Sequence, residues 1–265
     1  MDRRPYQQTF TVARLPAWKC PICGEGRLML KEGSFINRET SKSRAEQTHP
    51  SWEHEWVVST FSCMLQCNQE DCGDMVACGG SGGYEVLNIP QEYGGVDTEE
   101  VEYFIPHFFY PALGLMDIPV ECPESVSKHL KQSFLLAFSD PGASLNSIRS
   151  AIEALMSDLG VLKYREDDQK RPISLHARIE SMPETFVKQK ELLLALKWLG
   201  NAGSHEGGAT KAQDMWYAFD VIEHVLSAVY DQKIQRLLTI ARRVNRQKGP
   251  LDVLDYSNVL KNDDV

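Results

Sequence analysis

Two short cysteine pairs constrain this chain more than anything else in it. Cys20-Pro-Ile-Cys23-Gly24 separates its thiols by two residues, and Cys67-Asn-Gln-Glu-Asp-Cys72-Gly73 separates them by four. Each pair fits within one turn, so each can aim two thiolates at a single tetrahedral centre about 2.3 Å away. We assign one structural Zn2+ to Cys20, Cys23, Cys67 and Cys72, since four thiolates leave no open coordination position for chemistry. Unliganded thiols are the alternative, and two pairs at ligand spacing favour the metal. Cys63 and Cys78 are spare and can replace a member of the second pair; His49 and His54 are weaker competitors. Between the pairs, Glu55 to Leu65 is rich in β-formers and is expected as a strand feeding the second pair. The layout is that of a zinc ribbon, with polar residues 31–54 expected as an inserted loop.

Charge and hydropathy narrow the function classes. The chain carries Lys+Arg 28 against Asp+Glu 37, a net charge of −9, which argues against indiscriminate binding to nucleic acid or anionic membranes. No apolar run approaches the roughly 20 residues that cross a bilayer, and MDRRPYQQTFTVARLP lacks the apolar core of a signal peptide. Cysteines without an export signal imply metal ligands or free thiols and a cytoplasmic location. Gly79-Gly80-Ser81-Gly82-Gly83 has the spelling of a hydrolase nucleophile elbow. A β-like stretch, Tyr84 to Ile89, follows where the elbow needs a helix, so a turn closing the ribbon is expected.

Residues 96–122 are punctuated by Pro106, Pro111 and Pro119 and loaded with Tyr103, Phe104, Phe108, Phe109 and Tyr110. Proline at this density favours extended chain, and the aromatics imply a connector packed on its neighbours. From Pro123 onward the apolar period becomes helical. Val126, Leu130, Phe134 and Phe138 form one stripe, and Leu145, Ile148, Ile152, Leu155, Met156 and Leu159 another, stopped at Gly160. Ser174 caps a short helix, and Met215, Phe219, Ile222, Leu226 and Val229 mark a later one. The expected fold is α+β: a small zinc-ribbon-like β domain over residues 1–95, a connector over 96–122, and a mostly helical bundle over 123–265.

Leu192 to His205, LLLALKWLGNAGSH, is the most distinctive stretch of that bundle. A helix over Glu184 to Leu199 is expected to be buried on most sides, with Gly200 and Asn201 ending it. Lys197 inside the apolar run needs a partner or a route to water, and Glu153 is the expected partner. Arg149 and Glu153 lie one helical turn apart and can pair with each other or with the glycine-rich loop. The last helix, about Gln232 to Gln247, carries Arg236, Arg242, Arg243 and Arg246, with no acid between Asp231 and Asp252. That face is either a solvated amphipathic surface or a phosphate-binding one.

The helical half resembles domain-of-unknown-function family 4145. The resemblance rests on Ser147-Ile-Arg149-Ser-Ala-Ile-Glu153, on Ser174-Leu-His-Ala-Arg178-Ile179 and above all on Lys197-Trp-Leu-Gly-Asn-Ala-Gly-Ser-His205. Bacterial members occur alone or fused to restriction-type and phage-defence components. The family is similar to the HEPN superfamily of helical bundles, many of which cut or bind RNA and dimerise. The resemblance therefore implies a HEPN-like bundle, a homodimer, and RNA or a defence-system protein as partner. In the superfamily's nucleases an arginine, a polar residue and a histidine act together, the cation on the phosphate and the imidazole on the 2′-hydroxyl proton. Here Asn201 and His205 match the pattern, but Gly200 stands at the arginine position, leaving Lys197 or Arg149 to supply charge. A non-catalytic RNA- or protein-recognition module is the expected function, and a metal-independent ribonuclease built on His205 with Lys197 or Arg149 across a dimer is the alternative.

Overall fold

The N-terminal half is built on one strand. In the computed structural model, which describes residues 2–90, 96–165, 171–202, 212–230 and 232–250, strand β3 (Ser59–Cys67) alternates strictly between buried and more exposed positions. That alternation is the period of a sheet with one face on a core. Along one edge of β3 lie β1 (Leu28–Leu30) and β2 (Ile36–Glu39), paired at Leu28↔Cys67 and Ile36↔Ser62. On the other edge comes β4 (Met75–Pro90), and beyond it β5 (Val96–Tyr110), all antiparallel. A register shift at Gly79/Gly80 curls the β4–β5 ladder. A side chain at Gly80 would stand 2.0 Å from the Ile105 carbonyl, so the curl requires glycine there.

Two expectations are corrected by these strands. Residues 31–54 are not simply an inserted loop: β2 and helix α1 (Ser41–Glu46, capped by Thr40) lie within them, and β2 extends the sheet. Residues 96–110 are not a connector, because they pair with β4 from Pro90↔Val96 to Ala77↔Tyr110. The prolines misled because Pro106 sits at the irregular part of the ladder, where its missing N–H is tolerated. The boundary placed near residue 95 therefore falls between two paired strands.

Helices make up the rest: α2 (Glu124–Leu136), α3 (Pro141–Asp158), α4 (Leu175–Glu180), α5 (Val187–Ala202), α6 (Ala212–Tyr230) and α7 (Gln232–Gln247). The fold is thus α+β. The predicted stripes point inward: Val126, Leu130, Leu145, Ile148, Ile152, Leu155, Phe219, Ile222 and Leu226 are all at most 2 % exposed. Side chains cap two helix starts: Ser174, as expected, accepts from Ala177 N, and Asp140 accepts from Ala143 N. Sheet and bundle share one hydrophobic core. Phe138 bridges them, with its ring 4.9 Å from Phe109 of β5 and 6.2 Å from Trp216 of α6.

A buried arginine ties the N-terminal segment to the last part of that core. Arg3 is 6 % exposed and donates to the Leu115 carbonyl (3.1 Å), to Glu223 Oε2 (2.6 Å) and to Asp220. A guanidinium withdrawn from water requires such partners. No helix among the described residues is long and apolar enough to cross a membrane.

Candidate functional site

The four paired cysteines converge. The Sγ atoms of Cys20, Cys23, Cys67 and Cys72 all lie within 4.8 Å of one another. Two of the contacts, Cys20 to Cys72 at 3.8 Å and Cys23 to Cys67 at 3.7 Å, match the ~3.8 Å edge of a sulfur tetrahedron about 2.3 Å from a central ion. The group can hold a metal ion. Each pair sits in a turn closed by a glycine with left-handed backbone, Gly24 (φ 73°) and Gly73 (φ 58°). The turns are locked to each other, since Asn68 N donates to the Arg27 carbonyl (3.0 Å) and Arg27 N to Asn68 Oδ1 (2.8 Å). Gly26 is where they touch most closely: a Cβ there would lie 2.3 Å from Cys67 Sγ.

Electrostatics fits a cation at this point. Hydrogen bonding from the Gly26 amide holds the Cys23 thiol down at about 7. At Cys72 the Asp74 amide works the same way, but burial and the three neighbouring sulfurs overcome it and push that thiol up to about 12. Four sulfurs this close resist ionising together until a cation is present. Cys63 and Cys78 do not join the cluster. They face each other across β3 and β4, both buried. His54 is engaged with Glu100 (2.7 Å) and the Tyr84 ring, and His49 packs on Trp56.

The elbow-like glycine run lies within β4, with strand before and after Ser81, so no strand-to-helix turn exists there. Ser81 Oγ does meet His107 Nε2 at 2.8 Å on the exposed sheet face. The sequence did not signal that contact, because the two residues lie on different strands.

The box on α5 is arranged differently from expectation in three respects. Helix α5 continues through Gly200 and Asn201 to Ala202, so these residues do not stop it. Gly200 is buried, and a Cβ on it would stand 3.0 Å from Arg149 Cβ and 3.3 Å from the Leu145 carbonyl of α3. The glycine lets two helices approach, at the conformational cost glycine carries inside a helix. Nor is α5 buried on most sides: Leu193 and Leu196 are buried, while Trp198 is 59 % exposed. Lys197 does not pair with Glu153; its ammonium stands 3.3 Å from the centre of the Trp198 ring, a cation on an electron-rich face. Glu153 is engaged by Arg149 instead, Nε to Oε1 at 3.6 Å.

Arg149 also donates through Nη1 to Asn201 Oδ1. The structure thus brings Arg149, Glu153, Gly200 and Asn201 together and sets Lys197 beside Trp198. His205 lies outside the described residues. Arg178, in the Ser174–Ile179 motif, was not foreseen as a clamp. It is 3 % exposed and donates to the Glu153 carbonyl (3.1 Å), Ser157 Oγ (2.8 Å) and the Val161 carbonyl (3.1 Å), so α4 seals the end of α3. On α7, Arg242 and Arg246 are exposed and Arg243 is half-buried; the Arg236 side chain lies outside the described set.

With this geometry in place, comparison with known families adds two matches. Residues 131–247 match Domain of unknown function (DUF4145). Residues 8–109 match Domain of unknown function (DUF8608), which coincides with the sheet and the cysteine cluster. The chain is similar to the first family over α3 to α7, with part of α2, and the boxes on α3, α4 and α5 all fall inside that range. No curated protein and no solved structure matches the chain.

Proposed function

We propose that this protein is a non-catalytic recognition module of a bacterial defence or regulatory system, acting in the cytoplasm. Its sheet is a zinc-ribbon-like domain stapled by structural Zn2+ on Cys20, Cys23, Cys67 and Cys72, and its helices form a HEPN-like bundle. Zinc is the natural occupant because four thiolates in tetrahedral array are its commonest structural set, although iron accepts the same donors. When bound, the ion supplies cross-linking between the two turns; the chain's own residues do the rest.

The observation that carries the non-catalytic reading is the engagement of Arg149. Its guanidinium is held between Asn201 and Glu153, and a carboxylate that close opposes a phosphate at the same place. Lys197 is likewise drawn onto Trp198. Of the two partner classes, protein is favoured over RNA. From Ala45 to Ser127, which spans most of the sheet, the chain contains no lysine or arginine, and such a surface repels a polyanion.

The second reading, a metal-independent ribonuclease with His205, Asn201 and Lys197 or Arg149 acting across a dimer, has one observation in its favour. Arg149 reaches Asn201 from the neighbouring helix, which compensates for the glycine at position 200.

Cleavage and gel-shift assays on RNA in EDTA, comparing the protein with His205→Ala and with metal content verified, separate the readings. We expect no cleavage by either protein. Cleavage by the unsubstituted chain that the variant loses establishes the nuclease and ends the recognition reading.

A further inference from the structure

Strand β5 has an open edge. Phe104 exchanges two hydrogen bonds with Phe10 (3.0 and 2.8 Å), so its N–H and C=O point away from β4. Alternation along an antiparallel strand turns those of Glu102, Glu100 and Thr98 the same way. The Thr98 amide is met by Asp97 Oδ1 (2.9 Å). Among the described residues, no backbone group bonds to the outward N–H and C=O of Glu100 and Glu102. The N-terminal segment does not continue along this edge, because a turn closed by Thr11 and Arg14 carries it away after the single pair at Phe10. Between that segment and the β4–β5 ladder lies a cavity of about 490 Å³, with Leu15, Leu87, Val101 and Tyr103 in its walls.

Edges that must stay unpaired commonly carry lysine, proline or a bulge. From Val96 to Ile105 there is no lysine, arginine or proline, and the ladder to β4 is regular there. The charges present are Asp97, Glu99, Glu100 and Glu102. Two copies meeting along this edge would set acid against acid, so it rejects itself and favours a strand of opposite charge. Residues 251–265 do not supply one, since they hold four aspartates against one lysine.

The two faces of the edge differ. Val101 and Tyr103 share one face with Leu87 and the cavity, whereas Glu100 and Glu102 lie on the other. Glu100 meets His54 (2.7 Å), and Glu102 accepts from Asn37 (2.7 Å), a neutral partner that leaves its charge uncompensated. An added strand alternating apolar with basic side chains would send the first toward the cavity and the second toward the carboxylates.

We propose that the Thr98–Tyr103 edge of β5 binds an extended segment of another protein, one that alternates apolar with basic residues and joins the sheet as a further strand. This rests on the recognition reading above and names the kind of partner. Main-chain hydrogen bonds at Glu100 and Glu102 supply the attachment, and the cavity and the carboxylates supply the selection.

Fluorescence anisotropy of the full chain with a labelled octapeptide alternating lysine and valine tests it, with circular dichroism confirming that every variant is folded. Binding should weaken as salt rises. It should vanish when every amide of the peptide is N-methylated, which keeps the charges and removes the donors. Glu100→Pro removes one outward N–H and leaves the ladder to β4 intact. It should bind on the order of tenfold more weakly than Glu100→Gln, which loses the same charge but keeps that N–H. If the proline variant does not fold, the N-methylated peptide decides alone. No binding of the lysine–valine peptide, or equal binding of its N-methylated form or of a glutamate–valine peptide, overturns the proposal. So do equal affinities of folded proline and glutamine variants. RNA cleavage assayed on the same preparations reports independently on the recognition reading, so the two failures are distinguishable.

Discussion

Arg149 packs its aliphatic stem on Gly200, whose missing side chain is what allows α3 and α5 to meet there: a Cβ at 200 would lie 3.0 Å from Arg149 Cβ. The contact fixes the guanidinium over Asn201, one residue further along α5. Replacing Gly200 with valine should therefore cost about 1–3 kcal/mol from overpacking, measured by urea denaturation. Alanine should come out close to neutral, since its helix preference of ~1 kcal/mol offsets the tight contact. A valine variant as stable as the parent would mean the helices are free to separate.

The metal cluster predicts a defect from a residue that binds no metal. Gly26→Ala places a methyl group 2.3 Å from Cys67 Sγ, so the turns must part. Metal affinity should fall on the order of tenfold to a hundredfold, the usual effect of disturbing the surroundings of ligands. Competition with a chromophoric chelator measures it. Cys72→Ser should reduce bound metal more severely, and stripping the ion should lower the melting temperature of the parent protein.

Arg178 should resist conservative replacement. Its forked guanidinium reaches two carbonyls and a hydroxyl at the end of α3, a geometry that lysine cannot copy. Both Arg178→Lys and Arg178→Met should lose about 2–4 kcal/mol of stability through unsatisfied buried acceptors. Chemical denaturation in which lysine matched the parent would rule out the fork as the reason for arginine.

Acid should selectively remove one further contribution. Burial pushes the Glu223 carboxyl up, but the Asp117 amide and the Arg3 guanidinium outweigh it and hold the group below its usual range. A carboxyl with a depressed folded value stabilises above its unfolded value, roughly pH 4.3, and that stability is lost as pH falls through the folded one. The stability difference between the parent and Glu223→Gln should be full at pH 7 and shrink below roughly pH 4. A difference constant across that range would contradict the pairing with Arg3.

How far the sequence disclosed all this depended on the range over which each signal acts. Cysteine spacing and helical periodicity are local, and the ligand cluster, the inward stripes and the cap at Ser174 were legible from them. Strand β5 was hidden, because Pro106 reads as a breaker until the irregular ladder opposite Gly80 is known. Gly200 was misread for a related reason. Glycine signals both a helix end and a close approach, and only the position of Arg149 on another helix distinguishes the two. Lys197 needed a partner, as its apolar surroundings implied, but the adjacent Trp198 ring met that need before any distant carboxylate.

Arg3 carries a consequence for the order in which the molecule is assembled. It is synthesised 217 and 220 residues ahead of Asp220 and Glu223. At roughly 5–20 residues per second that is a delay of about ten to forty seconds. Throughout it a guanidinium destined for the interior has no counter-charge and remains hydrated, so the N-terminal strap stays open while the sheet it will cross is already available to pair. Made well before α6, it is one of the last to find its place, and α6 is the element that closes it.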